Sequence, residues 1–134
     1  VIDIESQIFA RIANKLREDN PSMYVAGEYV KAPAAFPTVT IEEKANSAYQ
    51  RTQDSGNLEN HASLMYEVNV YSNKQVGKKT ECKDLFKVID NEFKEMGFTR
   101  IMKEPIPNLE DGTVYRMLGR YTAVVATGGI IFRR

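Results

Sequence analysis

Apolar residues recur along this chain with two different periods, and the change from one to the other lays out its elements. Ile4, Ile8, Ile12 and Leu16 recur every four residues, with Phe9 and Ala13 beside them and Arg11, Lys15 and Glu18 outside. That stripe predicts an amphipathic helix over 3–19, with Asp3 able to cap its start. Asn20-Pro21 ends it, because the residue before a proline is pushed out of helical space. A second helix is predicted over 78–96, where Cys82, Leu85, Phe86, Ile89, Phe93 and Met96 share one face. Lys83 and Lys87 form a like-charge pair off that face, and Asp90 and Lys94 a favourable one. Gly97 follows as the left-handed residue past the helix end.

Between and after the helices the period falls to two. Residues 23–31 are rich in β-branched and aromatic types and read as a strand, with Gly27 as a bulge. After a Pro-containing connection, Thr38 to Glu42 alternates, placing Val39 and Ile41 inward and the threonines outward. Residues 46–60 are polar and read as a long loop, in which Tyr49 and Arg51 are the residues best suited to contact a partner. The clearest strand covers 61–71. Leu64, Tyr66, Val68 and Val70 take one face and Met65, Glu67, Asn69 and Tyr71 the other, as in a half-buried antiparallel strand.

Beyond Gly97 a short strand is predicted over 98–102. Residues 102–112 then read as a connection or sheet edge, because Pro105 and Pro107 cannot donate to a ladder. A long strand follows over 113–126, with Tyr115, Met117, Tyr121, Ala123 and Val125 on one face. Val114, Arg116, Leu118, Arg120, Thr122 and Val124 form a mixed second face. A turn at Thr127-Gly128-Gly129 lets residues 130–132 pair back. The order α-β-β-β-α-β-β-β predicts an α+β fold, a single mostly antiparallel sheet with two helices packed on it, as one domain over 1–134.

Composition narrows the function. Eighteen basic residues balance eighteen acidic ones, so no global field draws the chain to nucleic acid. The balance is uneven along the chain: residues 1–60 carry six basic and nine acidic residues, and 98–134 six basic and three acidic. Cys82 is the only cysteine, which excludes an internal disulfide, and its place in the apolar stripe reads as a small buried hydrophobe. There is no apolar run of membrane length and no signal-peptide pattern, so a cytosolic origin is expected.

Candidate chemistry is sparse. His61 has no partner ligands nearby in sequence, Glu42 and Glu43 fall on opposite strand faces, and Glu110 and Asp111 belong to a turn. No phosphate loop or nucleophile elbow is present. The expectation is therefore no catalytic residue, no metal and no cofactor. Arg116 and Arg120 point the same way about 13–14 Å apart on one strand face. They are placed to grip acidic groups of a neighbouring subunit or to face a phosphate-lined channel, against the plainer reading of surface arginines.

Four stretches taken together resemble the tail terminator (tail completion) proteins of tailed bacteriophages and phage-like particles. They are 36–43 (FPTVTIEE), 66–72 (YEVNVYS), 96–100 (MGFTR) and 114–121 (VYRMLGRY). The resemblance implies a small α/β structural subunit, not an enzyme, that closes a homohexameric ring on the end of the tail tube and stops its polymerisation. The implied partners are the tail tube protein and the sheath, head connector or collar. DNA would pass through the lumen without sequence-specific binding. The implied location is the virion tail, contractile or not, assembled in the bacterial cytoplasm, with no membrane partner. On this reading Tyr49, Arg51, Arg116 and Arg120 are the interface candidates. The alternatives are a head-completion or stopper protein of the same particle, a cytosolic module binding RNA or a peptide on its sheet face, and, more distantly, a small enzyme.

Overall fold

The fold was obtained as a computed structural model, which describes residues 3–21, 23–28, 35–48, 61–106, 113–126 and 131–132. The elements run α1 (Glu5–Asp19), β1 (Tyr24–Ala26), β2 (Thr38–Ala48), β3 (His61–Ser72), α2 (Lys78–Glu95), β4 (Thr99–Ile106), β5 (Tyr115–Ala126) and β6 (Ile131–Phe132). This is the expected α+β order. The strands form one sheet in the order β1-β2-β3-β5-β4, with β6 also on β5. All pairings are antiparallel except β1 with β2, which is parallel, so the sheet is mixed. Since β3 pairs with β5 along its whole length, β4 and β6 lie end to end on the other side of β5.

The helical stripes explain the core. Ile8, Ile12, Ala13 and Leu16 of α1 and Cys82, Phe86, Ile89 and Phe93 of α2 are buried in one cluster with Val39, Ile41, Leu64, Tyr66, Val68, Val70, Met117, Tyr121, Ala123 and Val125. Both helices therefore cover the same sheet face. Each fully buried Phe or Ile here contributes about 1.5–3 kcal/mol before ordering entropy is subtracted. The centre is aromatic: Phe93 stacks on Tyr121 at 4.2 Å and 9°, and meets Phe98 edge-on at 5.1 Å. Arg11 of α1 ties the helices together by reaching Glu92 and Glu95 of α2, each at 3.1 Å.

The helix ends follow local rules. The N-cap position of α1 is Ile4, which makes no side-chain cap bond; Asp3, one residue earlier, accepts the Glu5 N–H on Oδ1 and so satisfies one free donor of the first turn. At the end of α2, Gly97 has φ 94°, its N–H donates to the Lys94 carbonyl, and Phe98 N–H donates to the Phe93 carbonyl. That bond pair, with Phe98 packed on Phe93, is a Schellman motif, and its left-handed residue favours glycine. It turns the chain directly into β4.

Several expectations need correction. Thr38 and Thr40 are not outward to solvent; both are fully buried. Likewise β3 is not half-buried, because Glu67, Asn69 and Tyr71 on its second face are buried too. The first strand is only three residues long and Gly27 lies past its end. β2 continues through Asn46, Ser47 and Ala48, so the start of the supposed loop is strand, while 49–60 lie outside the described residues. β4 runs on to Ile106 and includes Pro105, which the sheet accommodates because β4 is at the edge of the β1-β2-β3-β5-β4 path. Asp90 is taken by Arg100 at 3.2 Å and not by Lys94. The proposed turn at 127–129 lies outside the described residues.

Candidate functional site

The strand registers decide which side chains share the face away from the helices. Thr38 stands opposite Tyr71, Thr40 opposite Asn69 and Glu42 opposite Glu67, and β5 sets Arg116, Leu118 and Arg120 beside the same three β3 residues. Arg116 and Arg120 thus fall on this face together, as the alternation predicts. No described helix or strand crosses it.

Both arginines have partners within the chain. Arg120 donates from Nε and Nη2 to Glu67 Oε1 at 3.1 and 3.0 Å. Lys44 stands between the acids, 3.2 Å from Glu42 Oε1 and 3.8 Å from Glu67 Oε2. Two carboxylates and two cations from three strands therefore form one neutral network. Glu67 is the buried member, at 8% side-chain exposure, while Arg120 is 42% exposed. Arg116 donates from Nε to Asn69 Oδ1 at 2.9 Å and lies over the Tyr71 ring at 5.6 Å. Beside it Thr40 Oγ1 and Asn69 Nδ2 are buried with no hydrogen-bond partner. Such atoms cost about 1–3 kcal/mol each, so this face carries polar groups at the expense of stability. Glu67 orients the Arg120 head, which stays partly exposed, and Asn69 orients that of Arg116.

A second feature lies on the helix side. Asp90, Lys94, Gly97, Phe98, Thr99, Arg100 and Tyr121 line an open cleft of about 310 Å³ where α2 ends and β4 begins. Tyr121 donates to Asp90 Oδ1 at 2.8 Å, and Arg100 Nη1 reaches the same oxygen at 3.2 Å. Burial raises the Tyr121 phenol above its ordinary pKa, and the Asp90 carboxylate raises it further. The hydroxyl therefore stays a donor at neutral pH. Tyr66 is similar: burial first, then Glu43, raises its phenol, which donates to Glu43 Oε1 at 3.0 Å. Burial pushes the Cys82 thiol up to about 12, so it is no nucleophile at neutral pH. Among the described residues no three His, Cys, Asp or Glu side chains are grouped to hold a metal ion. No helix among them is long and apolar enough to cross a membrane.

Of the four interface candidates, Tyr49 and Arg51 lie outside the described residues, and Arg116 and Arg120 share the helix-free face. The sequence places their anchors Glu67, Asn69 and Tyr71 on one strand face without marking them as arginine partners. The signal available was the period-two alignment of 67, 69 and 71 with 120, 118 and 116, which needs the β3–β5 register to interpret. Compared with protein-family models and with curated proteins, the chain matches none.

Proposed function

We propose that this chain is a structural subunit of a tailed phage or phage-like particle. It closes a six-membered ring on the end of the tail tube, as the tail terminator resemblance implies. The ring ends tube polymerisation and presents a surface to the head connector, collar or sheath end, with DNA passing through its lumen. No step of chemistry is assigned to it.

The observation that carries this reading is where the four resembling stretches lie. Residues 36–43, 66–72, 96–100 and 114–121 are scattered through the sequence. They become the neighbouring strands β2, β3 and β5, plus the helix end that leads into β4. The resemblance therefore falls on one contiguous unit, whose face away from α1 and α2 holds Arg116 and Arg120, each bonded to a β3 side chain. A pre-oriented cation that stays partly exposed, as Arg120 does, suits contact with an acidic group of a neighbour, because little further ordering entropy is lost on binding.

Deleting the gene from the genome of the particle that encodes it tests the proposal. A terminator predicts overlong or headless tails. Finished tails beside leaking heads would instead assign the chain to head completion, and normal particles would remove it from the particle altogether.

A further inference from the structure

Helix α2 presents three distinct flanks, and one of them has no role in the fold described so far. Its core stripe lies on the sheet. The flank holding Glu92 and Glu95 faces α1 through Arg11. On the opposite flank Lys79, Lys83, Lys87 and Lys94 recur at intervals of four, four and seven residues. At 100° per residue they fall within an arc of about 80°. All four are exposed, and none forms an ion pair among the described residues. Asp90, the one acid in the row, is already held by Arg100 and Tyr121.

Strand β4 adds to the same side. Arg100 reaches Asp90, and Lys103 lies over the Phe86 ring at 5.1 Å, so both point toward α2. The α2/β4 flank is therefore a basic strip about 22 Å long, taking the rise between residues 79 and 94.

Across the molecule lies an acidic counterpart. Asp3 and Glu5 at the start of α1 come close to Glu43 of β2, whose backbone N–H donates to Glu5 Oε2 at 2.9 Å. Asp3 Oδ1 in turn accepts the Glu5 backbone N–H at 3.2 Å, so the three acidic residues meet where the start of α1 touches β2. β2 and β4 are separated in the sheet by β3 and β5, so the two patches lie on opposite flanks.

We infer that the lysine flank of α2 docks on the Asp3–Glu5–Glu43 corner of a second copy of this chain. The occupant is chosen by charge. A strip built for phosphate would ordinarily belong to a basic domain, whereas this chain has zero net charge and an isoelectric point near 6.8. Its basic strip is balanced by its own acids, and the nearest matching surface is therefore another copy. Patches on opposite flanks make the contact heterologous, able to repeat head to tail and to close into a ring. Strand pairing is not the means, because β4 is blunted by a bulge between Arg100 and Met102 and by Pro105. This inference rests on the ring reading for its purpose but not for its test.

The test is zero-length carbodiimide cross-linking of a one-to-one mixture of natural-abundance and ¹⁵N-labelled protein at low salt. Mixed-isotope cross-links from Lys83, Lys87 or Lys94 to Asp3, Glu5 or Glu43 are expected. They should fall sharply at 0.5 M salt, where the screening length is only about 4 Å. The variant K83E/K87E/K94E, checked for folding by circular dichroism, should associate about tenfold more weakly. Absence of mixed-isotope cross-links between the two patches overturns the contact. So does retention of labelled duplex DNA by the native protein and not by the variant, which would assign the strip to phosphate. Tubes still capped by protein that fails this test would leave the ring reading standing while the contact falls.

Discussion

Replacing Gly119 by alanine probes how α2 is seated on the sheet. Gly119 lies in the middle of β5, opposite Val68 on one side and Lys103 on the other. A Cβ built there would stand 2.3 Å from Phe86 Cζ and 2.7 Å from Cε2. The Phe86 ring cannot simply swing away. It is fully buried, stacked near Tyr121 at 6.3 Å, and covered by Lys103. Overpacking of a core typically costs about 1–3 kcal/mol, and a ring held on several sides belongs near the top of that range. Removing a glycine from a strand returns roughly 0.5–1 kcal/mol of chain entropy. The net loss is about 2 kcal/mol, or roughly 6–10 °C in the midpoint for a chain of this size. Urea and thermal unfolding of Gly119→Ala would measure it. Phe86→Leu, which removes the clashing ring edge, should partly rescue it, with a coupling of at least about 0.5 kcal/mol in a double-mutant cycle. A neutral Gly119→Ala, or costs that simply add, would refute the close packing of Phe86 on β5.

Three further outcomes follow from the same structure. Arg120→Ala strips the main partner from the buried Glu67 carboxylate; because Arg120 is half-exposed and Lys44 remains nearby, the cost should be about 1–2 kcal/mol in urea unfolding, with Glu67→Gln/Arg120→Ala milder than the sum of its parts. Glu43→Gln should stabilise the protein at pH 7, since a carboxylate whose folded pKa is raised favours the folded state below its unfolded pKa and loses that contribution as pH rises through the folded one; comparing melts at neutral and acid pH checks it, the gain disappearing as wild-type Glu43 takes up its proton. Native Cys82, fully buried with its thiol pushed up to about 12, should resist an aromatic disulfide reagent until the protein is unfolded, and fast labelling of the native state would contradict its place on the sheet-facing side of α2.

The parts of this fold legible in the sequence are those set by near neighbours. The α2 stripe from Cys82 to Met96 and the turn at Gly97 depend on residues within one or two turns, and both formed as the spacing requires. The inward row of β5 was equally plain, because Tyr115, Met117 and Tyr121 alternate with charged residues. Pairing over distance was not legible. Glu67 and Asn69 read as solvent-facing because they are polar, yet the β5 register brings Arg120 and Arg116 to them and allows their burial. Thr38 and Thr40 misled in the same way. The parallel seating of β1 on β2 leaves no local mark, and the partner of Asp90 depended on β4 lying beside α2. For the candidate site, the two arginines were found by alternation, while the groups that orient them were not. Lys83 and Lys87 were visible as a like-charge pair, but the flank they share with Lys79 and Lys94 emerged only from the positions of α1 and β4.

Negative-stain imaging would reveal a ring that caps the tail tube. The purified protein would be mixed with tail tubes of the particle that encodes it. A six-fold cap at one end of each tube and an arrest of further tube growth are expected. Bare tube ends with continued growth, or protein scattered along the tube wall, would contradict it.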